Sequence, residues 1–365
     1  MRVPYLAVVV VTALAALTIP TAWTSVTASA QPPTVRPPIS PCAAPPSADV
    51  ATADGWIGYL ARHSGDYGLD ITTLDGQVIT HHPNEPLPTA SAIKLLHLAA
   101  FANAVATNTL RADDSVSVAQ WEQWYFPLDG NAHRDALRYL GIPEVNGVAV
   151  DRDRRVTYRQ LADVMIRFSD SAAPDLLRHR VGDPALRSLM RTYGLGDDLP
   201  SLLGLYLGLV DPAIRTAAQR DSAAYRYRTD PSYAAAMVAR IATMPRTPHI
   251  TNDSTITASP RSLSRLMAAI ADGRLGPGAT IARSILEYQG AQPDGGTLGF
   301  KGGSLPGILT EVFEYRLPDG RSAVGTFMVR NLSANDQSRD NFAHQRLLLG
   351  ALTDPSIAAR LRCVV

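Results

Sequence analysis

Lysine is nearly absent from this chain. Of its 365 residues only Lys94 and Lys301 are lysines, so 34 − 2 = 32 of the Lys plus Arg total are arginine. A GC-rich coding bias accounts for the arginines and leaves the two lysines unexplained. Cysteine is equally scarce, with Cys42 and Cys363 near the two ends. Net charge is +1, which gives no basic field for nucleic acid and no reason to expect an acidic surface as partner. The eight histidines are scattered apart from His81-His82, which reads as loop. There is no metal-spaced His/Cys cluster, no Walker-type glycine loop and no internal repeat, so neither metal nor cofactor is expected. What remains is 46% hydrophobic and 18% charged, a globular chain able to bury a sizeable core in one large domain or two small ones.

The first thirty residues have a short cationic start at Arg2, an apolar run to about Pro20 and an A-x-A site at Ala28-Ser29-Ala30. They read as an export signal, residues 1–30, with an uncleaved membrane anchor as the alternative; only then would a membrane be a partner. Residues 31–49 are proline-dense and poor in bulky apolar groups, which suits an extended leader. In an exported protein two such cysteines form a disulfide more often than a reactive site, provided the termini lie close.

From residue 50 to 365 the pattern is one of strands at both ends and helices between. "ADVATADGWIGYLARHSG" is helical, and "YGLDITTLDGQVITHH" is a hairpin turning at Asp75-Gly76. "ASAIKLLHLAAFANAVAT" reads as a buried helix with Ser91 and Lys94 in its first turn. Residues of about 110–285 form a helical block, including two helices broken near Ser169; "SLLGLYLGLVDP" has no clear assignment. Strands return in "GGTLGFKGG", "GILTEVFEYRLPDG" and "RSAVGTFMVRN", before a final helix through "DNFAHQRLLLGALTD". The expected fold class is α/β, with an antiparallel sheet built from both chain ends against a largely helical middle.

Ser91 and Lys94 are three residues apart at a helix start, so they share a face. A serine hydroxyl needs a base before it can attack at neutral pH. Arginine cannot release its proton in a protein, whereas a lysine can if burial or a nearby cation disfavours its charge. The flank "AIKLLHLAA" would bury Lys94, and Lys301 could supply the cation. Alone, S-x-x-K is a weak signal whose bland reading is a surface lysine. Two further segments change its weight: "FSDSAAPDLL", with Ser169-Asp170-Ser171, and "LGFKGGSLPG", with Lys301-Gly302-Gly303.

In that order the three segments resemble the S-x-x-K, S-D-N and K-T-G series of class A β-lactamases and penicillin-binding proteins. The resemblance spans about residues 50–360, and both lysines fall on motif positions. It implies a β-lactamase/transpeptidase-like fold and a serine acyl-enzyme. Ser91 would be the nucleophile, Lys94 its base, Ser169 the proton relay and Lys301 the field-setting cation. The N–H groups of Ser91 and Ser304 would form the oxyanion hole. Ser171, Gly303 and Ser304 would line the substrate, and Asp170 would brace the loop.

Three departures limit the resemblance. Ser171 replaces the asparagine of S-D-N, Gly302 replaces the hydroxyl residue of K-T-G, and no glutamate lies between Ser171 and Leu286. The family's deacylating glutamate would fall in that interval; Asp211, Asp230 and Asp253 are present, but nothing marks one of them as a base. The expectation is therefore an exported, cell-envelope hydrolase of amide or ester bonds in a small-molecule or peptidoglycan-like substrate, poor at releasing β-lactams. A D,D-peptidase, an atypical class A β-lactamase and a non-catalytic wall-binding protein of the same fold remain open.

Overall fold

The computed structural model describes Cys42, residues 47–197, Leu199, residues 201–244 and residues 250–365. The expected export signal, residues 1–30, and most of the proline-dense segment after it lie outside the described residues. Among the described residues, no helix is long and apolar enough to cross a membrane.

The first helix, α1 (Ala53–Arg62), starts where the Thr52 hydroxyl accepts from the Gly55 N–H and carries Asp54 in its first turn. The hairpin follows as β1 (Tyr67–Thr72) and β2 (Val78–His81), with Gly76 at φ +79° in the turn. The next helix, α2 (Lys94–Ala106), is apolar on all sides and accordingly buried. It begins four residues later than expected. Ser91 sits in a separate 3-10 turn, Ala90–Ile93, whose Ala92 N–H bonds the Thr89 carbonyl at 3.0 Å.

Two helices flank the next motif. A Thr157–Gln160 capping box opens α3 (Tyr158–Arg167), and Pro174 stands in the first turn of α4 (Ala173–Val181). The unassigned apolar segment forms α5 (Leu202–Val210), and "SPRSLSRLMAAIADGRL" forms α6 (Pro260–Ala271). The middle is not purely helical: Ser115–Ser117 pairs with Arg155–Thr157, Glu144–Val145 with Val148–Ala149, and Leu87–Pro88 with Thr257–Ala258. Two or three residues are too few for a side-chain alternation to be read. Three long strands close the fold, β3 (Thr297–Leu305), β4 (Ile308–Arg316) and β5 (Ser322–Val329), before α7 (Ala343–Thr353) and α8 (Pro355–Arg362).

The sheet is antiparallel with order β2-β1-β5-β4-β3, so the N-terminal hairpin pairs with the last strand, Tyr67 opposite Val329. Its strands alternate between two cores. Val312, Val324 and Met328 face the helical block, whereas Leu309, Phe313, Ala323 and Phe327 face α1, α7 and α8. Both faces are covered, and β4 is buried along its length except at Arg316. Burying a side chain such as Phe327 or Trp56 contributes about 1.5–3 kcal/mol. With both chain ends in one layer, Cys42 and Cys363 form a disulfide, Cα atoms 5.1 Å apart.

Candidate active site

Three segments far apart in sequence meet at the edge of β3. The 3-10 turn presents Ser91, the α3–α4 junction presents Ser169 and Ser171, and β3 carries Lys301 on its helical-block side. The approach is tight: a Cβ at Gly303 would lie 2.5 Å from the Ser91 nitrogen and 2.8 Å from that of Ala92. Only glycine lets the strand lie against the serine turn. Ala90, at φ +43°, and Ser169, at φ +61°, are both in the left-handed region, each costing roughly 1–3 kcal/mol that the surroundings must offset.

Lys94 is fully buried, and its Nζ lies 3.0 Å from Ser91 Oγ, 2.5 Å from the Ser169 carbonyl, 3.1 Å from Ser169 Oγ and 3.0 Å from Ser171 Oγ. Lys301 donates to Ser169 Oγ at 3.1 Å and to the Gly302 carbonyl at 2.6 Å. The Ser169 hydroxyl therefore bridges the two lysines. Burial pulls Lys94 down to about 8, against the upward pull of Asp170, Asp129 and Asp175. Burial and the Lys94 charge pull Lys301 down to about 7, with Glu311 opposing. Two amines that share one hydroxyl away from water cannot both hold a proton cheaply.

Asp170 lies behind the loop and does not touch these amines by hydrogen bond. Its carboxylate accepts from Trp121 Nε1 at 3.0 Å, the Ala172 and Ala173 N–H groups at 3.1 and 2.6 Å, and His133 Nδ1 at 2.7 Å. Burial would raise its pKa, but the His133 charge and these bonds hold it below the usual carboxylate value. His133 rises to about 9 despite burial because Asp170, Glu122 and Asp129 surround it. None of Trp121, Glu122 or His133 stood out in the sequence, where a lone histidine in an amphipathic stretch carries no mark of its partner.

The remaining sequence candidates fall as follows. Ser171 is buried and its hydroxyl is engaged inside the protein, with Lys94 and, at 3.0 Å, with the Tyr206 hydroxyl. Ser304 pairs with Leu309 in the sheet, and its hydroxyl accepts from Gln337 Nε2 at 3.1 Å. Gly302 lies opposite Glu311, where a Cβ would be 2.5 Å from Glu311 Oε2. Of the aspartates between Ser171 and Leu286, Asp211 pairs with Arg240 at 2.5 Å and Asp230 caps the following helix through the Tyr233 N–H. Asp175 caps α5 through the Leu202 and Leu203 N–H groups at 2.9 and 2.8 Å. Tyr206, from α5, is the insert side chain after Ser171 that hydrogen-bonds to the cluster, among the described residues. The signal for it was a lone hydroxyl-bearing residue in an apolar run, since a buried phenol needs a partner.

A sheet built from both chain ends, an SxxK serine against its strand and a second serine bridging two lysines define the class of active-site serine hydrolases of β-lactamase type. The match to the model of the beta-lactamase enzyme family covers residues 56–345, and the chain belongs to that family. The chain is similar in fold to the beta-lactamase from Sphaerobacter thermophilus, with a TM-score of 0.53 and 18% identity, covering 84% of this chain and 99% of that one. It is likewise similar to the class A beta-lactamase of the last common ancestor of Gram-negative bacteria, with a TM-score of 0.51 and 15% identity, covering 86% and 97%. No curated protein matches the sequence.

Proposed function

We propose that the protein is an exported serine acyl-enzyme of the cell envelope that cleaves amide or ester bonds in a small peptidoglycan-like substrate and releases β-lactam acyl groups slowly. The observation that carries this reading is buried Lys94, its Nζ 3.0 Å from Ser91 Oγ, with the Tyr206 phenol and not a carboxylate reaching the cluster from the segment after Ser171 among the described residues. Neutral Lys94 takes the Ser91 proton as Oγ attacks the carbonyl carbon. The N–H groups of Ser91 and Ser304 hold the developing oxyanion. The proton then passes from Lys94 through Ser169 Oγ to the leaving nitrogen, with Lys301 hydrogen-bonded to the same hydroxyl. Water must next attack the ester. Tyr206 cannot serve as its base, because burial drives the phenol well above its usual pKa and keeps it neutral. General-base assistance is worth about 10² to 10⁴ in rate, so its loss leaves a long-lived adduct.

A penicillin pulse followed by intact-protein mass spectrometry tests the proposal. The adduct mass should appear, decay slowly and be absent in Ser91→Ala. Fast multiple turnover without a trapped adduct would overturn slow release. Failure of penicillins and fluorophosphonates alike to label Ser91 would overturn the acyl-enzyme itself and favour a wall-binding protein.

A further inference from the structure

The cluster poses a problem of hydrogen-bond direction. A neutral lysine amine has two N–H donors and one lone pair. To deprotonate Ser91, that lone pair must face Ser91 Oγ. The Ser169 carbonyl, 2.5 Å away, can only accept, so it takes one N–H. Any hydroxyl that donates into the lone pair competes with Ser91. Two hydroxyls are so placed, Ser169 Oγ at 3.1 Å and Ser171 Oγ at 3.0 Å. The Ser171 proton has two other destinations, the Ser169 carbonyl at a long 3.4 Å and the Tyr206 oxygen at 3.0 Å.

We infer that Tyr206 is a positioning residue that accepts the Ser171 hydroxyl proton and so removes one competitor with Ser91 for the Lys94 lone pair. The inference rests on the acyl-enzyme reading above and adds a residue to it. Ser171 then accepts from Lys94 and donates to Tyr206, giving one direction along Lys94, Ser171 and Tyr206. The Tyr206 oxygen lies 3.0 Å from Ser171 Oγ, within reach to accept its proton. It remains neutral, as an acceptor of this kind must, and the bond from Ser171 opposes the rise in its pKa.

The scaffold keeps that oxygen in place. The Asp175 carboxylate holds the start of α5, and the Ser201 hydroxyl accepts from the Gly204 N–H at 2.8 Å. A Cβ at Gly204 would lie 2.4 Å from the Arg220 carbonyl oxygen, so the helix is seated directly on the next one, Ala217–Thr229. Ser171 and Asp175, four residues apart on one motif, thus hold α5 by a side chain and by its first turn.

Tyr206→Phe removes one oxygen and leaves the ring. Without its acceptor, the Ser171 proton turns to the Lys94 lone pair. The limiting rate of acylation by a fluorescent penicillin should then fall about tenfold, the worth of one hydrogen bond near the base. Donation into the lone pair favours the neutral amine, so the acid limb of the pH profile should move to lower pH at the same time. Adding Ser171→Ala removes the competing hydroxyl and should bring the double variant up to the rate of Ser171→Ala alone. A role in packing alone predicts neither the shift nor the rescue. The chain's two lysines also allow a readout without turnover: [13Cε]lysine NMR gives one resonance each for Lys94 and Lys301. The Lys94 titration should move to lower pH in Tyr206→Phe and return in the double variant. An unmoved Lys94 titration, or a double variant slower than Tyr206→Phe, overturns the inference. If the wild type is never acylated, the proposed function falls, and the lysine titration still decides the role of Tyr206.

Discussion

In the helical block Asp170 accepts from the Trp121 indole and His133 Nδ1, and His133 Nε2 lies 3.7 Å from Glu122. Under the terminal helices Asp340 accepts from the Trp56 indole at 2.6 Å and His344 Nδ1 at 2.6 Å, and His344 Nε2 lies 3.0 Å from Glu311. Each aspartate also caps nearby N–H groups, Ala172 and Ala173 in one case, Phe342 and His344 in the other. Both histidines rise to about 9 against the effect of burial, and both aspartates are held low by the histidine. The two clusters share one composition and one electrostatic solution. Their outputs differ because of what lies beside them in the chain. Asp170 stands between Ser169 and Ser171, so its anchor sets two of the hydroxyls around Lys94. Asp340 stands at the start of α7 and ties that helix to the sheet. Buried ion pairs are expensive to build, and removing one partner strands the other.

The sharpest test of the contrast is the lysine that only the first cluster faces. Lys94→Arg keeps the charge and loses the removable proton, so it should acylate as poorly as Lys94→Ala, about 10² to 10⁴ below wild type. Mass-spectrometric acylation rates measure this, and an active Lys94→Arg would remove the base role.

Next come the aspartates themselves. Asp170→Ala and Asp340→Ala should each cost about 3–5 kcal/mol in urea unfolding. Only Asp170→Ala should also abolish acylation in the folded fraction. Equal losses of acylation in both variants would mean that the clusters are not separate devices.

A smaller effect follows from titration. A histidine raised from 6.5 to about 9 contributes stability that is complete below about pH 6.5 and lost as pH climbs through about 9. The excess stability of wild type over His344→Gln should therefore shrink across that window by on the order of 3 kcal/mol. The lysines act with the opposite sign: their depressed values make the fold more stable as pH rises from about 7 toward 10.5. Unfolding of both proteins between pH 6 and 10 isolates the histidine, and a constant difference would contradict its charge.

The smallest effect lies at the meeting of the second cluster and the active strand. Gly302→Ala pushes a methyl onto Glu311 Oε2 and should cost about 1–3 kcal/mol. Glu311→Ala in the same chain should recover part of that loss. Thermal unfolding of the pair checks it, and additive losses would show that the carboxylate is not what requires glycine.

Much of this architecture was legible from local patterns. The hairpin at Asp75-Gly76, the break at Ser169 and the three closing strands are regular alternations or breaks that reach across only a few residues. The start of α2 was misjudged because the 3-10 turn at Ser91 packs against Gly303, about two hundred residues away, a contact with no local sign in the sequence. Tyr206 and His133 were missed for the same reason, since their meaning lies in partners on other elements.

The amino-acid sequence by itself determined the chemistry on offer: two lysines, three motif serines, a stretch from Ser171 to Leu286 without glutamate and a pair of cysteines at the ends. Residue identity decides which groups can give up or take a proton, and no fold can change that. The tertiary structure alone decided what those groups do. It buries Lys94 until its proton is removable, bridges it to Lys301 through Ser169 and turns the Ser171 hydroxyl inward to meet Tyr206. Burial and hydrogen-bond direction are properties of surroundings, and surroundings assembled from segments hundreds of residues apart have no local trace in the chain.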